Sequence, residues 1–302
     1  MTDGILLLNK QPGETSTGCV EKIRRLFCKK RKVGHGGTLD SPASGLLVLL
    51  VGAATRSCPF VHLLPKVYLV EAQLGAFSDT DDASGHIEPR EDWGAASPES
   101  VVRELTGFLG LRLQVPPSIS AVHVAGRRAH QLARSGEKTA LSSKPVTITS
   151  FSDFSGPDLQ GRVRFKIQCH KGTYVRSLVR DLGNRLGCGA YVVSLQRLSI
   201  GRFGLEQAHT MSRLTADTRE SLLPIDALLD HFVAYRVPQE METDVRNGRP
   251  IPCDCLHRLH WGLLPESGHV VLRTRNLASF ALPEGRTSHY RPDVVLALGD
   301  QA

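Results

Sequence analysis

Apolar positions along this chain come in short runs, separated by glycine- and proline-rich punctuation, and two spacings alternate. Ile5 to Leu8 is a run of strand character that ends at Asn9-Lys10-Gln11-Pro12-Gly13. Ser16-Thr17 can then cap a helix whose Val20, Ile23, Leu26 and Phe27 recur at helical spacing. Leu46 to Val51 is continuously apolar, as a strand buried on both faces requires. Val67–Leu74, Thr147–Phe151 and Val163–Cys169 read as further strands, the last with clear in-out alternation. Ser97 to Gly107, with Pro98 in its first turn, and Tyr174 to Leu186, closed by Gly187, read as helices. Arg127 to Lys138 is basic and of helical character, with little apolar surface. Gly34 to Gly45 reads as a loop, and Asp79 to Gly85 as a solvated acidic turn.

From Pro238 the pattern changes to short strands and turns, punctuated by Asn247-Gly248, Pro250, Pro252, Pro265, Gly268 and Gly285. A chain of 302 residues exceeds the size at which one core stops growing, so two unequal domains are expected. The expected architecture is mixed α/β (α+β), with an antiparallel-rich central sheet over residues 1–231 and a small β-rich domain over 232–302. The longest apolar stretch, Leu46 to Ala54, is far short of the roughly 20 residues that cross a bilayer. Ile5 to Leu8 lacks the charged leader and long apolar core of a signal peptide, so a cytoplasmic protein is expected.

Composition adds one pointer. Thirty-seven Lys and Arg against thirty Asp and Glu leave a formal charge of +7, which favours polyanionic partners without telling RNA from DNA. Seven of the cations lie between Lys22 and Lys32, among them Lys29, Lys30, Arg31 and Lys32; they can contact phosphates or form a solvated helix face. The seven cysteines are scattered and odd in number, which fits reduced thiols better than a disulfide framework.

Two stretches could carry chemistry. His35-Gly36-Gly37-Thr38-Leu39-Asp40 sets an imidazole and a carboxylate among glycines that permit tight backbone geometry. The same residues could be a turn with a helix-capping Asp. His170-Lys171-Gly172-Thr173-Tyr174-Val175-Arg176 lies at a strand-to-helix junction, where it could equally be a basic cap with a core tyrosine. A third stretch, Cys253-Asp254-Cys255-Leu256-His257-Arg258-Leu259-His260, offers two thiols and two imidazoles. Its spacing departs from that of structural zinc motifs, and no metal is expected there.

Gly34 to Val48 resembles the active-site segment of the TruB family of tRNA pseudouridine synthases, whose pattern G-H-x-G-x-L-D-x-x-A-x-G-x-L is met at every fixed position. Lys171 to Leu178 resembles the family's K-G-T-Y-I-R segment. Lys66-Val67-Tyr68, Thr80 to Gly85, Asp181-Leu182-Gly183, Leu186 to Ala190 and Leu195-x-Arg197-Leu198 also fit, so the resemblance runs from about residue 4 to 205. The tail around Asn247-Gly248-Arg249-Pro250-Ile251 is loosely similar to a PUA-like RNA-binding domain.

The resemblance implies conversion of uridine to pseudouridine at position 55 in the T-loop of tRNA, by a stand-alone monomer without a cofactor. It implies Asp40 as the catalytic carboxylate, attacking either C1′ of the sugar or C6 of the base, or stabilising a cationic sugar, with Arg176 as its paired cation. A guanidinium suits that place because it is a permanent two-pronged donor. Tyr68 is implied as the active-site tyrosine, Tyr68, Tyr174 and Leu195 as the wall around a flipped base, and His35 as the residue filling the space it leaves. Lys10, Lys29, Lys30, Arg31, Lys32 and Lys171 are expected on the RNA backbone.

The chain departs from the family in Lys10-Gln11-Pro12, where Lys-Pro is common, and in Ile119, His123 and His130 of an RNA-gripping insert at about 116–144. Rival readings are a non-catalytic RNA-binding protein, which the intact Asp40, Tyr68 and Arg176 set disfavours, and a guide-RNA-directed synthase, which the absence of long basic tails disfavours. A nuclease or glycosidase would need a metal cluster or a second carboxylate, and Asp79, Asp81 and Asp82 read as a turn.

Overall fold

The computed structural model describes residues 3–26, 31–90, 96–118, 142–215, 221–285 and 288–298, with the backbone of 123–124 and 127–128. The first apolar run forms β1 (Gly4–Lys10), and Ser16 opens α1 (Ser16–Leu26), which buries Cys19 and Ile23. Then come β2 (Val33–His35), β3 (Ser44–Val51), α2 (Cys58–Leu63) and β4 (Lys66–Leu74). They are followed by α3 (Pro98–Thr106), β5 (Gly110–Gln114), β6 (Lys144–Ser155), β7 (Arg162–Cys169), α4 (Val175–Leu186), β8 (Ala190–Ile200) and β9 (His209–Thr210). The Ser97 side chain accepts from the Ser100 N–H at the start of α3, and Gly187 closes α4 at φ 75°, as the turn chemistry of both segments dictates.

These strands form one sheet in the order β9-β1-β3-β8-β4-β7-β6-β5, with β2 added beside β3. Only β1–β9 and β8–β3 among the labelled pairs run parallel, so the sheet is antiparallel-rich. α1 packs on Leu6, Leu8, Leu47 and Leu49 of one half. α3 and α4 cover Val70, Ala72, Phe165 and Ile167 of the other.

Residues 234–297 supply a second, six-stranded sheet from β10 (Ala234–Arg236), β11 (Ile251–Pro252), β12 (His257–His260), β13 (Val270–Arg273), β14 (Leu277–Pro283) and β15 (His289–Ala297). It shares a core with the first. Phe60 of α2 stacks on Phe280 of β14 at 3.5 Å, and Phe232 meets Phe280 edge-on at 5.2 Å. Ile5, Leu46, Val48, Leu228, Ala278 and Leu296 complete the same cluster. Sheets joined through buried aromatic contact of this kind behave as one packed body rather than as modules on a tether.

Two local expectations change, and one strand goes unanticipated. His35 lies on β2, pairing with Leu49, and not in a loop. β8, the central strand, has bulges at Val192/Ser194 and Arg197/Ser199 that break the alternation a strand is recognised by. Arg127–Arg128 pairs with His123–Val124 as a short antiparallel ladder where a helix was expected; Ile119, His130 and the rest of that basic segment lie outside the described residues.

Candidate active site

The segment between β2 and β3 is held over the sheet by three polar side chains from different elements. Ser16, buried at the start of α1, accepts from the Leu39 N–H at 2.9 Å and donates to the Leu39 carbonyl at 3.0 Å. The Lys10 ammonium donates to the carbonyls of Gln11 (3.1 Å), Glu14 (2.8 Å) and Ser41 (3.2 Å). From β8, Arg197 donates to the carbonyls of Gly37 (3.1 Å), Thr38 (3.3 Å) and Leu46 (2.7 Å). Asp40 sits at the crest, its carbonyl accepting from the Ala43 N–H at 3.1 Å.

Lys10 is therefore corrected as a contact to the RNA backbone. It is 0% exposed, because its ammonium closes the turn that carries Ser41, and burial holds its pKa below the ordinary lysine value. The inserted Gln11 is accommodated on the outside of that turn, with its N–H donating to Glu14 Oε2 at 3.1 Å.

Arg176, on the first turn of α4, donates from Nε to Asp40 Oδ2 at 2.9 Å. The two are unequally buried. The Arg176 side chain is 7% exposed and that of Asp40 40%, so the cation is fixed and the carboxylate can be reached from solvent. The fork is divided: Nη1 donates to the Thr80 carbonyl at 2.9 Å and faces Asp82 Oδ2 at 3.7 Å.

Asp82 belongs to the segment expected to be a solvated turn, and it is buried instead, as is Asp81. Asp82 Oδ1 accepts from Thr80 Oγ1 and from the N–H and Oγ of Ser84, at 2.8, 3.0 and 2.5 Å. Asp81, at φ 62°, pairs with Arg180 at 2.9 Å, and the Val192 N–H and carbonyl clip the segment to β8. The acidic loop is thus the back wall of the Arg176 site. A short Thr-Asp-Asp-Ala-Ser-Gly stretch carries little sign of this by itself, since the same residues make exposed turns.

Tyr68 and Arg197 are register partners across β4 and β8, so they project to the same face. Burial pushes the Tyr68 phenol up, with the Arg197 charge opposing it. Tyr174 caps α4, and its backbone exchanges two hydrogen bonds with the buried Gln114 side chain, at 2.8 and 3.0 Å. The Asp40 charge raises its phenol further after burial has done so.

His35 Nδ1 is buried without a hydrogen-bond partner among the described residues. Its pKa is lowered by burial and then by Arg197, which keeps the ring neutral. The Cys58 thiol donates to the His35 carbonyl at 3.2 Å. Leu195 packs partly against the α4 core and borders a hollow of about 270 Å³ with Ser44, Leu69, Glu71, Arg164, Ser194 and Gln196. Asp40 does not line that hollow.

Lys32 and Lys171 are exposed, and Arg31 is held by Asp3 at 2.8 Å; Lys29 and Lys30 lie outside the described residues. In the second sheet the Cys255 thiol donates to the Pro252 carbonyl at 2.9 Å and touches Met241 Sδ at 3.5 Å, so it points into that sheet's core. No helix among the described residues is long and apolar enough to cross a membrane.

Solved structures share this fold over nearly the whole chain. A Cbf5-Nop10-Gar1 complex matches with a TM-score of 0.74 at 22% identity, over 97% of this chain and 84% of that one. A curated "tRNA pseudouridine synthase B" of Thermobifida fusca (strain YX) is 36% identical over 307 aligned positions, covering 98% of this chain and 99% of its own. That of Parasynechococcus marenigrum (strain WH8102) is 38% identical over 253, covering 83% and 85%. The family models for the N-terminal domain of TruB family pseudouridylate synthases and for the C-terminal domain of tRNA pseudouridylate synthase B match residues 24–175 and 176–231, meeting at Arg176. Matched by both family models and by relatives along nearly its whole length, the chain belongs to the TruB family of pseudouridylate synthases.

Proposed function

We propose that this enzyme isomerises uridine to pseudouridine in tRNA, at the T-loop position 55, with Asp40 as the reacting carboxylate. The reaction breaks the C1′–N1 bond, turns the base and joins C1′ to C5. C5 gives up its proton and N1 gains one, with no redox change. A carboxylate serves by adding to C1′ or to C6. The observation that carries this reading is the Asp40–Arg176 pair: a solvent-reachable carboxylate whose Oδ2 is held at 2.9 Å by a buried guanidinium.

A side chain set in a cleft cannot reach a base stacked inside a folded loop, so the target nucleotide flips out. Tyr68, Tyr174 and Leu195 form the wall that receives it, and the neutral His35 ring fills the gap in the RNA. Lys171 and the Lys29–Lys32 group hold phosphates. Residues 232–302 act as a PUA-like domain that extends the RNA surface, and its shared aromatic core keeps it in fixed relation to the cleft. The protein works as a cytoplasmic monomer.

The test is incubation with an unmodified tRNA transcript and position-resolved detection of pseudouridine. Product at T-loop position 55 alone is expected. Product elsewhere, or none, contradicts the assignment.

A further inference from the structure

Arg197 heads the largest fully buried side chains, at 1% exposure, and its Nε, Nη1 and Nη2 each donate to a carbonyl oxygen. No carboxylate forms an ion pair with it among the described residues. A buried guanidinium without an anion is unfavourable unless its donors are met by well-placed dipoles. Here they are, and the dipoles belong to one segment. Gly37 and Thr38 precede Asp40, and Leu46 follows it on β3, so one rigid plane fixes both ends of the loop.

The return strand is pressed onto the same residue. Gly45 lies at φ 105°, and a Cβ there would come within 2.3 Å of the Arg197 carbonyl oxygen. On the other flank Tyr68 is the register partner of Arg197, and its phenol lies against the guanidinium. A single side chain therefore touches the loop bearing the carboxylate and the tyrosine opposite it.

We infer that Arg197 is a positioning residue that sets the geometry between the Asp40 carboxylate and the Tyr68 ring without touching substrate. This rests on the reading of Asp40 and Tyr68 as groups that meet the uridine. Lysine cannot replace it, because a point charge on a flexible stem does not hold three carbonyls in one plane.

The test uses full-length Arg197→Lys and Arg197→Gln, each alone and combined with Tyr68→Phe, beside the parent. Melting curves, RNA affinity and single-turnover rates at saturating enzyme are measured over pH 6 to 9.5. Both variants should melt cooperatively above the assay temperature and bind RNA within about threefold of the parent. The single-turnover rate should fall at least about tenfold in Arg197→Lys and further in Arg197→Gln. Tyr68→Phe should cost far less in either background than in the parent, because the ring is already misplaced. A purely structural residue would lower melting and leave the Tyr68→Phe penalty unchanged. Parental rates, additive penalties, or failure of both variants to fold would each overturn the inference. An inactive parent would instead sink the reading of the site, and the parental control tells the two apart.

Discussion

Asp82 stands behind Arg176, 3.7 Å from the guanidinium whose Nε holds Asp40 at 2.9 Å, so one cation lies between an exposed carboxylate and a buried one. Asp82 is itself tied down by Thr80 and Ser84, which leaves the guanidinium little freedom to turn. Geometry as well as charge is therefore required at position 176. Arg176→Lys keeps the charge but cannot serve Asp40, the Thr80 carbonyl and Asp82 from one plane. The single-turnover rate on a T-arm transcript should fall at least tenfold, about 1.4 kcal/mol of barrier, while the melting curve stays cooperative. A parental rate would mean that Arg176 acts as a charge only.

Much of this site is legible in the chain. Asp40 and Arg176 lie 136 residues apart, yet each sits in a stretch whose glycines and basic residues mark it before folding is considered. The helix beginning at Ser16 is also legible, although the bond from Ser16 to Leu39, which uses the helix start to hold the segment bearing Asp40, is not. Lys10 is misplaced by sequence reasoning because a lysine after a strand reads the same whether it faces phosphate or three carbonyls; only the closing of the turn by Ser41 decides. Asp82 escapes notice because its burial depends on β8, and β8 is hidden by its own bulges.

Lys66 offers a titration that reports on the same buried region. Its ammonium donates to the carbonyls of His62 and Leu64 at 2.6 Å each, and burial, followed by Arg197, lowers its pKa from 10.5 to about 8. Between those values the unfolded chain holds a proton that the folded one has lost, so this group's contribution to stability rises with pH from about 8 to about 10.5. Below 8 both states are protonated and the cost of the buried charge is present in full. The stability difference between the parent and Lys66→Met should therefore move toward the parent by about 2 kcal/mol from pH 7 to pH 9.5. Urea midpoints at the two pH values measure it; a constant difference would mean that the Lys66 ammonium is hydrated.

The lysines expected on RNA phosphates and Lys10 separate by salt dependence. Replacing Lys29, Lys30, Lys32 and Lys171 with alanine should weaken tRNA binding and flatten the slope of log affinity against log salt, by up to about 0.9 for each phosphate no longer neutralised. Lys10→Met should leave that slope unchanged and lower the melting temperature, since its donors face carbonyls of the protein. Filter binding across a salt series distinguishes them. An unchanged slope in the quadruple variant would make those lysines a solvated face.

The most direct test of the role given to Asp40 is the single-turnover rate of Asp40→Asn on a T-arm transcript, measured together with its affinity for the same RNA. The amide keeps the shape of the side chain and removes the nucleophile, while binding rests on phosphate and shape contacts elsewhere. The expected result is no detectable pseudouridine and an affinity within a few-fold of the parent. Pseudouridine formed at a measurable rate by a clean Asp40→Asn preparation would contradict it.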